Sequence, residues 1–130
     1  MDEQLRALLM RDPRIAFALL FGSTARGTTT PFSDVDVAIG LQPGARLDVQ
    51  DIGEITVALE QTIGSTIDLV LLDEAPAALV YRVFRDGRLL FETNRAARVA
   101  SQSRAVLEYL DFKPFEDLFT RSILRAARRG

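Results

Sequence analysis

The sequence predicts an α+β fold: a small mixed β-sheet flanked by helices, with further helices at the C-terminal end. Three observations carry that prediction. Short apolar runs of strand length alternate with segments whose apolar residues recur at helical spacing. Breakers such as Asp12-Pro13, Gly40, Gly64 and Asp86-Gly87 separate them. The chain has 130 residues, the size of one domain and enough to bury a real core. No internal repeat, low-complexity segment or linker divides it. Residues 1–130 therefore form a single domain, with a C-terminal helical segment over about 95–128.

The elements follow in order. Asp2 to Met10 reads as a helix with Leu5, Leu8 and Leu9 on one face. Ile15 to Phe21 is an apolar run that reads as a buried strand, and Gly22 ends it. Glycine turns sharply and lets the backbone approach a ligand closely. Ser23 and its successors open a short helical turn. The loop Thr28-Thr29-Thr30-Pro31-Phe32 is positioned to order over a bound nucleotide. A second strand runs from Val35 to Ile39 and stops at Gly40. Gln42-Pro43-Gly44 turns the chain. From near Val49 to Ile63, Ile52, Ile55, Leu59 and Ile63 recur at helical spacing, and Gly64 stops the helix. Ile67 to Leu72 is a third strand. Pro76 falls within the first turn of a short helix through Phe84. Arg88 to Glu92 is the last strand. The chain is helical again from Arg95 to near Leu110, with Val99, Val106 and Leu110 along one side, until Pro114 interrupts it. Phe115, Leu118, Phe119, Ile123 and Ala126 then form an amphipathic stripe that either packs on the domain or docks a partner or a second copy.

The chemistry lies between the first two strands and in the third. Phe21-Gly22-Ser23-Thr24-Ala25-Arg26-Gly27 is a strand-to-helix turn whose free N–H groups and serine hydroxyl suit an anion. Arg26 adds a planar fork that matches phosphate oxygens. Ser33-Asp34-Val35-Asp36-Val37 follows. Residues two apart on a strand share a face, so Asp34 and Asp36 are expected to project together while Val35, Val37 and Ile39 enter the core. Paired carboxylates on a rigid strand suit magnesium, which takes oxygen ligands and shares them with phosphates. Two such ions can flank a phosphoryl group in transfer. Ile67-Asp68-Leu69-Val70-Leu71-Leu72 is an apolar run with one charge in it, and a lone buried carboxylate is costly unless paired or bound to metal. Asp68 is therefore expected beside the Asp34/Asp36 strand, as a third metal ligand or as a base for an acceptor hydroxyl. Each piece alone is an ordinary loop or edge residue. Their order and their positions on the elements are what point to a magnesium-nucleotide site.

Gly22-Ser23, Arg26-Gly27, Ser33-Asp34-Val35-Asp36 and Asp68 resemble the signature of the DNA polymerase beta-like nucleotidyltransferases. The short chain and the tail Tyr109-Leu110-Asp111-Phe112-Lys113-Pro114-Phe115 resemble, more narrowly, the minimal nucleotidyltransferase (MNT) antitoxins. That resemblance implies a polymerase beta-like fold and a catalytic and metal-binding triad of Asp34, Asp36 and Asp68. It implies nucleotide binding by Gly22, Ser23, Arg26 and Ser33, with two magnesium ions as cofactors and ATP as substrate. It further implies a partner: a HEPN-type ribonuclease toxin whose tyrosine hydroxyl accepts AMP. Two other readings stay open. One is a small-molecule nucleotidyltransferase of the aminoglycoside-modifying kind, which ordinarily needs more helical structure than this chain has. The other is a binding module that masks a toxin without catalysis.

Composition narrows the chemistry. There is no cysteine and no histidine, which excludes disulfides, thiolate or imidazole metal sites and histidine-based triads. Acid–base work falls to carboxylates, tyrosine, lysine or metal-bound groups. The net charge is −2, and Lys113 is the only lysine among sixteen cationic side chains. A dedicated nucleic-acid binder is normally basic, so no nucleic-acid partner is expected. Arg121, Arg125, Arg128 and Arg129 cluster late, as a solvated helix end or a surface for an acidic partner. Arg82 and Arg85 fall on the short helix after Pro76, at positions the sequence leaves open. Tyr81 and Tyr109 read as packing residues. No signal-peptide pattern or membrane-length apolar run is seen, so the expected location is the cytoplasm.

Overall fold

The computed structural model describes residues 1–26 and 34–110. The chain runs α1 (Asp2–Leu9), β1 (Ile15–Phe21), α2 (Gly22–Arg26), β2 (Val35–Leu41), α3 (Val49–Ile63), β3 (Ile67–Leu71), a 3₁₀ turn (Leu72–Glu74), α4 (Ala77–Asp86) and β4 (Arg88–Glu92). A further helix, α5, covers 95–110. The strands form one mixed sheet in the order β3-β2-β1-β4. β1 pairs antiparallel with both β2 and β4, and β2 pairs parallel with β3. α3 is the crossover between the parallel pair, as such a connection requires. The loop at 28–32, Ser33 and the amphipathic segment after Leu110 lie outside the described residues.

β1 is buried along nearly its whole length because helices cover both sheet faces. On one face Ala18, Leu20, Val37 and Ile39 pack against Leu5 and Leu9 of α1 and Leu59 of α3. On the other, Phe17, Leu19 and Ala38 pack against Val80 and Val83 of α4 and Ala105 of α5. The helical spacing of Ile52, Ile55, Leu59 and Ile63 is thus accounted for, since all four belong to the first of these cores. α3 starts on a reciprocal cap: Asp51 N–H donates to Asp48 Oδ1 at 2.8 Å, and Asp48 N–H donates to Asp51 Oδ2 at 2.9 Å. It ends on Gly64 at φ +77°, the left-handed conformation glycine adopts without strain. Arg14 forks onto Asp12 at 3.0 and 2.8 Å and reaches Asp51 at 3.3 Å, which ties the α1–β1 turn to the start of α3. That guanidinium holds the Asp12 carboxyl below its ordinary range. The backbone N–H of Asp48 does most to lower Asp51.

Several boundaries differ from the sequence expectation, each for a physical reason. α1 stops at Leu9, with Met10 as its cap. β2 does not end at Gly40 but continues to Leu41. Gly40 is inside the sheet because the Phe17 ring fills the space where a Cβ would stand. Pro76 is the N-cap of α4 rather than a residue of its first turn, and the helix runs on to Asp86. β3 gives way at Leu72 to the 3₁₀ turn, where Asp73 accepts a hydrogen bond from Leu41 N–H at 3.0 Å. On α5 the core contacts come from Ala97 and Ala105. Val99 and Leu110, expected along one side, are 42% and 52% exposed. Among the described residues, no helix is long and apolar enough to cross a membrane.

Gly40→Ala is expected to destabilise the fold by about 1–3 kcal/mol, the usual range for forcing a methyl into a filled core. Urea unfolding measures this, and Phe17→Leu in the same chain should recover part of the loss. A Gly40→Ala protein as stable as the parent would show that the ring does not occupy that space.

Candidate active site

The site is built at the end of the sheet where β1 finishes and β2 begins. Phe21, the last residue of β1, is the register partner of Asp36, and Asp36 is the register partner of Asp68 across the parallel pair. Register partners point to the same face of a sheet. Phe21, Asp36 and Asp68 therefore form one row, on the face that carries α4. Val35 and Val37 point the other way, 6% and 0% exposed, into the core shared with α1 and α3.

Gly22 follows immediately and is the pivot of the site. Its φ is +64°, and a Cβ placed on it would collide with Asp36 Oδ2 and stand 3.2 Å from Asp36 Cγ. The backbone of the turn is thus packed directly on the carboxylate. Only a residue without a side chain allows both the dihedral and that approach. α2 then leaves from Gly22 and carries Ser23, which is half-buried, and ends at Arg26. α2 packs against β1, β2 and α4.

Asp34 precedes β2 rather than lying on it, and its side chain is exposed. Asp36 is half-buried. Asp68 departs from the premise that singled it out: it is exposed, on the edge strand, and not a carboxylate buried in an apolar run. The run looked buried because Ile67, Leu69 and Leu71 do face the core, while Asp68, which alternates with them, is exposed. Its position beside Asp36 is nevertheless the one expected. Ser33 lies outside the described residues.

The donor set is all oxygen, as hard cations prefer. Among the described residues no three acidic side chains gather closely enough to enclose an ion. Carboxylate oxygen is the donor type that magnesium takes from a protein, the rest of its shell coming from substrate phosphates and water.

α4 supplies details that the sequence left open. Arg85 forks onto Asp86 of the same helix at 2.9 and 2.8 Å, which raises its pKa. Arg82 is exposed and donates from Nε to Ala78 O at 3.4 Å. Tyr81 and Tyr109 are packing residues, as expected, and they pack on each other: their rings stack at 4.4 Å and 8°, with Arg85 5.8 Å from the Tyr81 ring centre. This pairing joins α4 to α5, and no sequence periodicity would have found it.

A family model described as polymerase beta, nucleotidyltransferase matches residues 3–96. No curated protein matches. Among solved structures, a chain of a toxin–antitoxin complex with AMP-PNP superposes with a TM-score of 0.79 at 23% identity, covering 95% of this chain and 98% of that one. A chain of the MntA–HepT toxin–antitoxin complex gives 0.72 at 21%, covering 95% and 96%. A chain of the tri-AMPylated Shewanella oneidensis HEPN toxin in complex with MNT antitoxin gives 0.70 at 19%, covering 95% and 99%. The four-stranded mixed sheet and its flanking helices are the polymerase beta-like nucleotidyltransferase fold.

Proposed function

Because the chain belongs to the polymerase beta nucleotidyltransferase family, we propose that it is an antitoxin that transfers AMP from ATP to a tyrosine hydroxyl of a HEPN ribonuclease toxin. The observation that carries the reading is the adjacency of Asp36 and Asp68 beneath the Gly22 turn. The likeness to chains of complexes that pair MNT antitoxin with HEPN toxin, one of them AMPylated, supports the choice of acceptor. It also favours this reading over a small-molecule acceptor, because those chains are covered almost end to end.

Asp34, Asp36 and Asp68 are the residues that would hold two magnesium ions. When bound, the metal supplies positive charge against the negative charge that develops on the phosphates. The chain's own groups do the rest by positioning. Gly22 lets the turn backbone approach the outer phosphates. Ser23 contributes its hydroxyl and N–H, and Arg26 and Ser33 add further donors. Asp68, at the open edge, faces the acceptor and takes the phenolic proton. The acceptor oxygen forms its bond to the α-phosphorus. The bond from that phosphorus to the bridging oxygen breaks, and pyrophosphate leaves with the electron pair.

The test is the intact mass of a co-purified HEPN partner after incubation with this protein, ATP and magnesium. A gain of one or more AMP units, placed on tyrosine by fragmentation, is the expected result. A stable complex with unchanged partner mass would overturn transfer in favour of masking.

A further inference from the structure

Among the described residues β3 is an edge strand: it pairs with β2 on one side and with no described strand on the other. Its backbone groups alternate between the two sides. Val35 N–H donates to Thr66 O at 2.9 Å, so Thr66, Asp68 and Val70 direct their N–H and C=O groups at β2. Ile67, Leu69 and Leu71 direct theirs outward. The alternation is borne out at Ile67, whose N–H is taken by Glu60 Oε2 at 3.0 Å. Beyond that residue, the outward N–H groups of Leu69 and Leu71 meet no acceptor among the described residues. The other edge of the sheet is treated differently. β4 begins with Arg88, which is paired to Asp2 of α1 at 3.0 Å, and α1 packs along it. An ion pair blunts the start of that edge, while on β3 the outward N–H groups of Leu69 and Leu71 stay unmatched among the described residues.

We propose that the acceptor polypeptide docks as an added strand on the free edge of β3. An open ladder next to a reactive row is a ready site for an extended segment, because main-chain hydrogen bonds give affinity without a preformed groove. The geometry also explains how an acceptor would reach the carboxylates. A strand added about 4.8 Å beyond β3 continues the row Phe21–Asp36–Asp68 by one position. A side chain at that position points to the same face as Asp68 and Asp36. A tyrosine there would extend its hydroxyl over the carboxylates from the side opposite Gly22. The exposed Asp34 and Asp68 make this rim acidic, so a segment with basic flanks fits it better than an acidic one. The proposal rests on the transfer reading above for the identity of the reacting group, but the docking itself is independent of catalysis.

The test uses the full chain and a peptide, Lys-Thr-Val-Thr-Tyr-Thr-Val-Thr-Lys, at millimolar concentration with the non-hydrolysable analogue AMP-PNP and magnesium. Amide hydrogen exchange is read by NMR. Exchange at Leu69 and Leu71 should slow by about tenfold or more, while Asp68 and Val70, already bonded to β2, stay unchanged. Peptides N-methylated at alternate amides should divide into one set that loses the protection and one that keeps it, because only every second amide faces β3. Absence of protection at Leu69 and Leu71, whether or not the peptide binds elsewhere, overturns the proposal, and so does protection insensitive to methylation. With ATP in place of the analogue the two readings separate. Protection without adenylylation of the peptide keeps the docking edge and counts against tyrosine transfer. Adenylylation without protection keeps the transfer and removes the docking edge.

Discussion

Asp36→Asn is expected to lower AMP transfer by about a thousandfold or more, equivalent to ~4 kcal/mol of transition-state stabilisation, while the protein remains folded. The substitution keeps the size and shape of a half-buried side chain pressed against Gly22. What it removes is the charge. Asp36 is the middle of the row Phe21–Asp36–Asp68, with Asp68 as its one acidic register partner. Loss of a carboxylate that compensates cationic charge near the transferring phosphoryl group acts on the transition state more than on binding. Rates with saturating ATP, read beside a circular dichroism melt, check both halves. A variant that transfers AMP at the parent rate would remove Asp36 from the catalytic machinery.

Gly22→Ala is expected to damage both stability and activity, and for two separable reasons. The first is backbone strain: φ of +64° costs an L side chain about 1–2 kcal/mol. The second is the collision of the new methyl with the Asp36 carboxylate. Gly64→Ala isolates the first contribution. Gly64 has φ +77° and open space where its Cβ would go, so alanine there meets strain alone. We expect Gly64→Ala to destabilise modestly and leave transfer unchanged. Gly22→Ala should destabilise further and reduce transfer by about a hundredfold, because shifting a reactive group by an ångström is enough for that. Urea midpoints and rates measured on both variants decide it. Equal behaviour of the two would mean that the turn does not pack on Asp36.

The expected severity at Gly22 exceeds anything a motif match would suggest, which bears on how legible this molecule was. The strands and helices were readable because their periods are local. Ile52, Ile55, Leu59 and Ile63 announce a helix, and Ile15 to Phe21 a covered strand. The end of β2 was misread because a glycine is a breaker in one setting and a contact in another. Gly40 is the second kind, and the contact is with Phe17, on a different strand.

Asp68 shows the same division from the other side. Its chemical type and its place in a strand were apparent, but its exposure was not, since a single edge strand with one covered face reads like a buried one. The Tyr81–Tyr109 stack was beyond reach altogether, because it depends on how α4 and α5 lie against each other.

By itself, then, the sequence determined the element order and the placing of Asp36 and Asp68 on strands, both of which follow from composition or from spacing along the chain. Only the tertiary structure decided that Asp36 and Asp68 are neighbours in register, that Gly22 rests on Asp36, and that β3 lies at the edge of the sheet the described strands form. These are relations between segments tens of residues apart, set by strand order and packing, and no local pattern encodes them.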